Sequence, residues 1–276
     1  MCIRDSTCSL PIFIIGQFNE ILNDLNKLIP SSLLSNEFVA KVARAYYIKN
    51  GKTVTNSNGK KFVLSAHGEI DTSHYVDPNN GSIIHYDYVT NTVNDFSDDS
   101  IVSNQDNSLE MTRSSLQNAI SNYVATKYHC EESAGSVYAK NNIIFVVIYG
   151  EKTNLRNFWS GKWFSTWTVS TSGPHSAAVS ADIKLHAHYF EDGNLQLNSN
   201  KVVSEKVING SSDVDFANNI IAHISASENS IQHGLEAMYA NMNEETLKAM
   251  RRVMPITKTK MEWNVNSVRM VKQVRK

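Results

Sequence analysis

Nine histidines among 276 residues invite a search for metal chemistry, and His186 and His188 are its natural starting point. On a strand, residues two apart share a face, so with Glu191 close by they offer two imidazoles and a carboxylate to one ion. No third ligand stands at a diagnostic spacing, and ordinary surface or cross-strand histidines are the favoured reading. His67, beside Gly68, Glu69 and Asp71, suits a polar turn just as well. Covalent chemistry finds no better footing: Cys2, Cys8 and Cys130 form no CxxC pair, and no GxSxG or HExxH motif occurs. Gly51-Lys52 and Gly59-Lys60 lack the glycine-rich approach that cradles phosphate. The sequence nominates no catalytic residue, no cofactor and no metal, and it is not read as that of an enzyme.

Two other groupings carry more. The stretch NFWSGKWFSTW gathers Phe158, Trp159, Trp163, Phe164 and Trp167. Indoles this close together pack into a core or a subunit seam, and their N–H groups need acceptors. A stacking platform for nucleic acid needs more positive charge than Arg156 and Lys162 supply. The second grouping is terminal. Across residues 248–276, nine Lys or Arg side chains meet one acid, Glu262, although the whole chain sums to −1, so everything upstream is net acidic. Read as a helix, residues 262–276 set Trp263, Met270, Val271 and Val274 along one side, with Val268 at its edge. Arg269, Lys272, Arg275 and Lys276 take the other side. Such a segment can be a solvated terminus, can meet nucleic acid or anionic lipid, or can enter a groove on a protein. Protein docking uses both its apolar spacing and its charge, whereas the nucleic-acid reading lacks a recognised fold.

A frame must position these residues. A chain that is 41% apolar, 19% charged and 9% aromatic reads as soluble and globular, with length for a substantial core. Sparse cysteine favours a reducing compartment. No apolar run approaches the roughly 18 residues that span a bilayer, and residues 10–15 are too short for a secretory segment. The expectation is a cytoplasmic protein without transmembrane insertion.

Periodicity then orders the elements. Phe18, Ile21, Leu22, Leu25, Leu28 and Ile29 recur at helical spacing up to Pro30, and Leu33, Leu34, Phe38, Val42 and Ala45 mark a second helix, together a helical hairpin. FVLSAHGEI and SIIHYDYV read as strands between polar turns. Met111, Leu116, Ala119, Ile120 and Tyr123 mark a helix over 109–128. SVYAK with IIFVVIYG, then WFSTWTVS, AAVSADIKLHAHYF and NLQLNSNKVV, read as an antiparallel meander, with Asp-Gly of EDGN as its strongest hairpin signal. Phe216, Ile220, Ile221, Ile224, Ile231, Leu235 and Met238 line a helix about 25 to 30 residues long, with Ser211 or Ser212 as N-cap and Glu228 interrupting any heptad seam.

With GQFNEILNDLNKL, HGEI, YVDPNNGSIIHYDYV, NFWSGKWFSTWTV, HYFEDGNLQLNSNK and TLKAMRRVMPITKTKMEW standing in this order over 16–276, the chain resembles the F-actin capping protein alpha subunit family. The resemblance implies an elongated α+β fold with an amino-terminal helical stalk, an antiparallel sheet, a long covering helix and a carboxyl-terminal amphipathic tentacle. The corresponding regions are 1–15 as a divergent start, 16–55 as stalk, 56–107 as strands and turns, 108–210 as helix and sheet core, 211–260 as covering helix and basic segment, and 261–276 as tentacle. It also implies a capping protein beta subunit as obligate heterodimer partner, with dimer-forming edge and helix surfaces. The complex would block the barbed end of the actin filament, in the cytoplasm and cytoskeleton, including cortical actin. Phosphoinositide and capping-protein regulators are further implied partners. By the same resemblance Lys248, Arg252 and Lys258 contact actin, with Arg251 and Lys260 as secondary cations and Trp263, Met270, Val271 and Val274 as the tentacle's apolar face. Lys258 stands where the family often has Arg, keeping the charge but losing the planar fork. A lipid-regulated cytoskeletal scaffold with weak or absent capping is the alternative.

Overall fold

The computed structural model describes residues 17–28, 34–96, 109–130, 132–189 and 195–241. Among these, four helices and ten strands follow one another: α1 (Gln17–Leu28), α2 (Asn36–Asn50), β1 (Thr53–Thr55), β2 (Lys61–Val63), β3 (His74–Val76), β4 (Ile83–Asp87), β5 (Thr92–Phe96), α3 (Glu110–Lys127), β6 (Glu132–Lys140), β7 (Ile143–Asn154), β8 (Trp159–Gly173), β9 (Ser176–Tyr189), β10 (Leu195–Asn209) and α4 (Asp213–Asn241). Every strand pairing is antiparallel. The strands form a pair β1-β2, a triplet β3-β4-β5 and a five-stranded sheet β10-β9-β8-β7-β6, which makes the fold α+β, as expected.

The chain divides into two units, 1–221 and 222–276, with the boundary inside α4. In the first unit, α2 begins where the Ser35 hydroxyl accepts from the Phe38 amide at 3.2 Å, a side-chain cap for an otherwise orphaned donor. Its buried face is Val39, Ala43 and Tyr47, whereas Phe38 is 54% exposed. The helix is therefore rotated from the stripe anticipated through Phe38, Val42 and Ala45. The reason lies in Tyr47, whose ring joins the buried cluster while its hydroxyl donates to Asn91 Oδ1 at 3.1 Å.

Alternation along β2 joins two cores. Phe62 and Leu64 pack with Tyr75, Ile84, Tyr86 and Tyr88 of the small hairpins. Val63 faces the other way, into Ala134, Tyr138, Val147, Tyr149 and Phe164 of the large sheet. Of the anticipated FVLSAHGEI strand only Phe62 and Val63 lie in β2; its continuation turns, with the Gly68 amide on the Ser65 carbonyl. Strands β1, β3 and β5 were not foreseen. They are short, and side chains set the turns between them: Asp77 accepts from the Asn79 amide at 2.9 Å and Asp87 from the Val89 amide at 2.8 Å, the local bonds that make Asp a turn residue.

Helix α3 lies on one face of the large sheet through Leu116, Ile120 and Val124, all buried. A Cβ at Gly135 would come within 2.9 Å of Ile120 Cγ1, so the glycine lets helix and strand approach closely. Helix α4 starts at a reciprocal cap. Ser212 Oγ accepts from the Asp215 amide at 3.2 Å, and the Asp215 carboxylate accepts from the Ser211 amide at 2.8 Å. Ser212 is thus the N-cap, and α4 has 29 residues. Its first turns bury Phe216 and Ile220. In the second unit, of which 222–241 are described, Ile224 and Glu228 are also buried.

Candidate functional site

The five-stranded sheet ends differently on its two sides. At β6, three outer backbone groups in the middle of the strand are taken up by side chains of α3. Gln117 accepts from the Val137 amide at 2.8 Å and donates from Nε2 to the Gly135 carbonyl at 3.1 Å. Arg113 donates from Nη1 to the Val137 carbonyl at 3.2 Å and to the Pro78 carbonyl at 2.9 Å. Glu110 grips the same guanidinium at 2.6 and 2.7 Å, and this bond holds the Glu110 carboxyl below its ordinary range. Behind β6, the Ser136 hydroxyl accepts from the Val63 amide at 2.8 Å and the Tyr138 hydroxyl donates to the Val63 carbonyl at 2.6 Å. Three of the β6 backbone groups that would invite another strand, those of Gly135 and Val137, are thereby satisfied.

At β10 the opposite holds. Thirteen of the 15 residues of Leu195–Asn209 pair on one side with β9, Ser204 and Glu205 falling in the register shift between Val203 and Lys206. Among the described residues no strand pairs with the other side. Two valines stand out to solvent on this strand, Val202 at 72% and Val207 at 64% exposed. At about 3.3 Å per residue this edge runs ~50 Å. A long, partly apolar edge is a template for pairing with another chain.

On the sheet face next to α2 the charges are spoken for. Glu151, only 5% exposed, receives the Tyr149 hydroxyl and lies 3.4 Å from Lys162 Nζ. Lys162 sits 5.8 Å from the ring centroids of both Tyr46 and Tyr149. Burial pushes the Tyr149 phenol well above its usual range, helped by the Glu151 charge. Lys184 Nζ donates to the Lys49 carbonyl at 3.2 Å. Lys162 is thus an internal counter-ion rather than half of a phosphate-binding patch. The aromatic grouping around it is packed as expected: Trp167 is fully buried, Phe164 is 7% and Trp163 8% exposed, while Phe158 at the turn is 41% exposed.

His186 and His188 do face the same side of β9, their ring centroids 6.3 Å apart. Among the described residues no group of three or more His, Cys, Asp or Glu side chains converges. Cys130 is a free, half-buried thiol. The cations and apolar residues expected to meet a filament, Lys248, Arg251, Arg252, Lys258, Lys260, Trp263, Met270, Val271 and Val274, lie outside the described residues, as do the turn at 190–194, the hairpin connection at 29–33 and the amino-terminal segment 1–15.

Residues 14–273 match the family model of the F-actin capping protein alpha subunit. The chain belongs to the F-actin capping protein alpha subunit family. The F-actin-capping protein subunit alpha of Dictyostelium discoideum is 31% identical over 252 residues, covering 90% of this chain and 88% of that one. That of Caenorhabditis elegans is 30% identical over 253 residues with the same coverage. Among solved structures, the homodimeric actin capping protein alpha subunit of Plasmodium berghei shares the fold, with a TM-score of 0.73 and 22% identity over 88% of this chain and 92% of that one. For a capping protein alpha subunit, the sheet's open side is the feature that sequence reading named only as a general edge. The signal was present in part: two valines, Val202 and Val207, stand in the largely polar stretch NLQLNSNKVVSEKVIN, yet nothing local says which strand ends the sheet.

Proposed function

We propose that this chain is the alpha subunit of a heterodimeric actin capping protein that binds filament barbed ends and blocks both addition and loss of protomers. The observation that carries the assembly is the open β10 edge, set against a β6 edge whose middle is already obstructed by Arg113 and Gln117. A related beta subunit adds its own strand there and extends the sheet. The basic segment at 248–276, with Lys248, Arg252 and Lys258 as its principal cations and Arg251 and Lys260 beside them, steers the complex to acidic actin. The apolar side chains Trp263, Met270, Val271 and Val274 then lengthen its stay. Obstruction is steric, so no bond is made or broken. The place of work is the cytoskeleton, and anionic phosphoinositide competes with actin for the same cations.

The test is coexpression with a capping protein beta subunit, followed by elongation of actin from filament seeds. Growth that stops at substoichiometric complex supports the proposal. Unimpeded growth with an assembled two-chain complex supports the scaffold alternative instead. The Plasmodium berghei alpha subunit is described as homodimeric, which favours one second reading, that a second copy of this chain takes the β10 edge. Sedimentation of the chain expressed alone decides between the two partners.

A further inference from the structure

An asparagine followed by glycine is prone to cyclise on itself, because no Cβ on the second residue hinders its amide nitrogen from reaching the asparagine side chain. The chain holds four such pairs, Asn50-Gly51, Asn58-Gly59, Asn80-Gly81 and Asn209-Gly210, and the fold treats them unequally. Asn50 donates from Nδ2 to the Tyr46 carbonyl at 2.9 Å, and a Cβ at Gly51 would lie 2.5 Å from the Tyr149 ring. Asn80 Oδ1 accepts from the Ser82 amide at 3.0 Å and from the Ser82 hydroxyl at 2.8 Å. Asn209 Oδ1 accepts from the Ser176 hydroxyl at 2.7 Å, and a Cβ at Gly210 would lie 2.6 Å from Phe216 Cβ. Asn58 is held by none of these devices. It and Gly59 are both exposed at the tip of the turn joining β1 to β2, its side chain makes no hydrogen bond to a described residue, and a Cβ at Gly59 would meet nothing within 4 Å. One backbone bond restrains the tip, from the Gly59 amide to the Asn56 carbonyl at 3.0 Å. The base of the turn is fixed by contrast. The Asn56 amide donates to the Lys60 carbonyl at 2.9 Å, the Lys60 amide to Asn56 Oδ1 at 2.8 Å, and Asn56 Nδ2 to the buried Asp77 at 2.6 Å. Breaking the single tip bond therefore frees the Gly59 nitrogen without unravelling the hairpin.

We propose that Asn58-Gly59 is a site of spontaneous backbone modification, at which the chain converts Asn58 to aspartate and isoaspartate with water as the only co-reactant. The Gly59 amide nitrogen gives up its proton and bonds to Cγ of Asn58; the side-chain nitrogen leaves as ammonia, and a five-membered imide remains. One water then opens the ring. Addition at Cγ yields aspartate, and addition at the main-chain carbonyl carbon yields isoaspartate, whose backbone runs through Cβ and Cγ. Nothing is oxidised or reduced. Either product sets a carboxylate beside Lys60 and Lys61, where an uncharged amide stood. The isoaspartyl form also adds one carbon to the main chain between two ends that the Asn56 bonds hold in place, in the hairpin whose Phe62 and Val63 enter separate cores.

The experiment ages the full chain, coexpressed with a capping protein beta subunit, in neutral and in mildly alkaline buffer. Peptide mass spectrometry follows the change from amide to acid at each of the four pairs, and methyl transfer by a protein isoaspartyl methyltransferase measures the isoaspartate. Conversion at Asn58 is expected to run about fivefold or more faster than at Asn50, Asn80 or Asn209, each of which must first break a side-chain bond. It is expected to quicken with pH, since the attacking nitrogen must lose its proton. In urea those bonds are gone, and the rates are expected to converge. Asn58→Gln keeps an amide on the exposed turn but would have to close a larger ring, so it removes most of the methyl acceptance. Equal rates at all pairs in the folded complex, an Asn58 that outlasts any of the other three, the same ranking in urea, or methyl acceptance undiminished by Asn58→Gln overturns the proposal. Seeded actin elongation on the same fresh and aged preparations reads capping separately, so failure of this site and failure of the capping reading are told apart.

Discussion

Gln117 is 5% exposed and serves two backbone groups of β6 at once. In the sequence it sits on α3 among Ser, Arg and Asn, where a polar residue reads as solvated, and nothing in its spacing reveals that it seals a strand. Replacing it with Ala strands the Val137 amide and the Gly135 carbonyl, each costing roughly 1–3 kcal/mol when buried unpaired. Gln117→Ala is therefore expected to destabilise the chain by about 2 kcal/mol or more, seen as a lower urea midpoint at unchanged slope. The cations proposed to meet the filament are expected to behave differently, acting on encounter. Combined reversal of Lys248, Arg252 and Lys258 to Glu is expected to slow association with barbed ends by about tenfold or more at low salt and less at high salt. Seeded elongation at several ionic strengths measures it; a correctly assembled mutant dimer that caps normally removes these residues from the site.

At the scale of elements, β6 and β7 were legible as short, largely apolar runs between turn signals, buried on both faces in their middles, and β8, β9 and the start of β10 from a two-residue period. Helix α4 was legible for the same reason at the helical period. The three-residue strands β1 and β3 were not, since three residues hold too little pattern and their geometry is imposed by Asx turns such as those of Asp71 and Asp77. The β10 edge was half-legible: its composition shows in the sequence, its position at the end of the sheet does not, because strand order is a non-local property. Val202→Asp with Val207→Asp tests it. Both side chains are exposed in the isolated chain, so folding is spared, while a partner strand meets two charges in place of two apolar contacts. Subunit association is expected to weaken about tenfold or more in a pull-down titration with the beta subunit.

For the molecule as a whole, acid exposes the balance of buried imidazoles and capped carboxylates. His67 lies flat on Phe145, ring centroids 3.8 Å apart at 12°, and burial, with a smaller push from Lys140, lowers its pKa. His186 is lowered too, by burial and then by Lys162 and His188. A histidine held neutral in this way contributes stability that is fully present above its unfolded value of about 6.5 and is lost as pH falls through the folded one. Carboxylates follow the same sign lower down. Asp87, lowered by its bond from the Val89 amide and then from Thr90, and Glu110, lowered by Arg113, lose their contribution as pH drops below the usual carboxylate range near 4. The melting temperature is accordingly expected to fall in two stages, the first beginning near pH 6.5. His67→Phe keeps the stack without the titrating group and is expected to flatten that first stage; an unchanged profile shows that His67 does not set it.

The unequal rims of the large sheet bear on stoichiometry. Since α3 side chains already occupy the middle of one border, a chain recruited along β10 brings its own strands and, if built alike, a far border obstructed in the same way. Growth of the sheet by recruitment is then self-terminating at a pair, and the runaway ribbon that a twice-open sheet would nucleate is avoided.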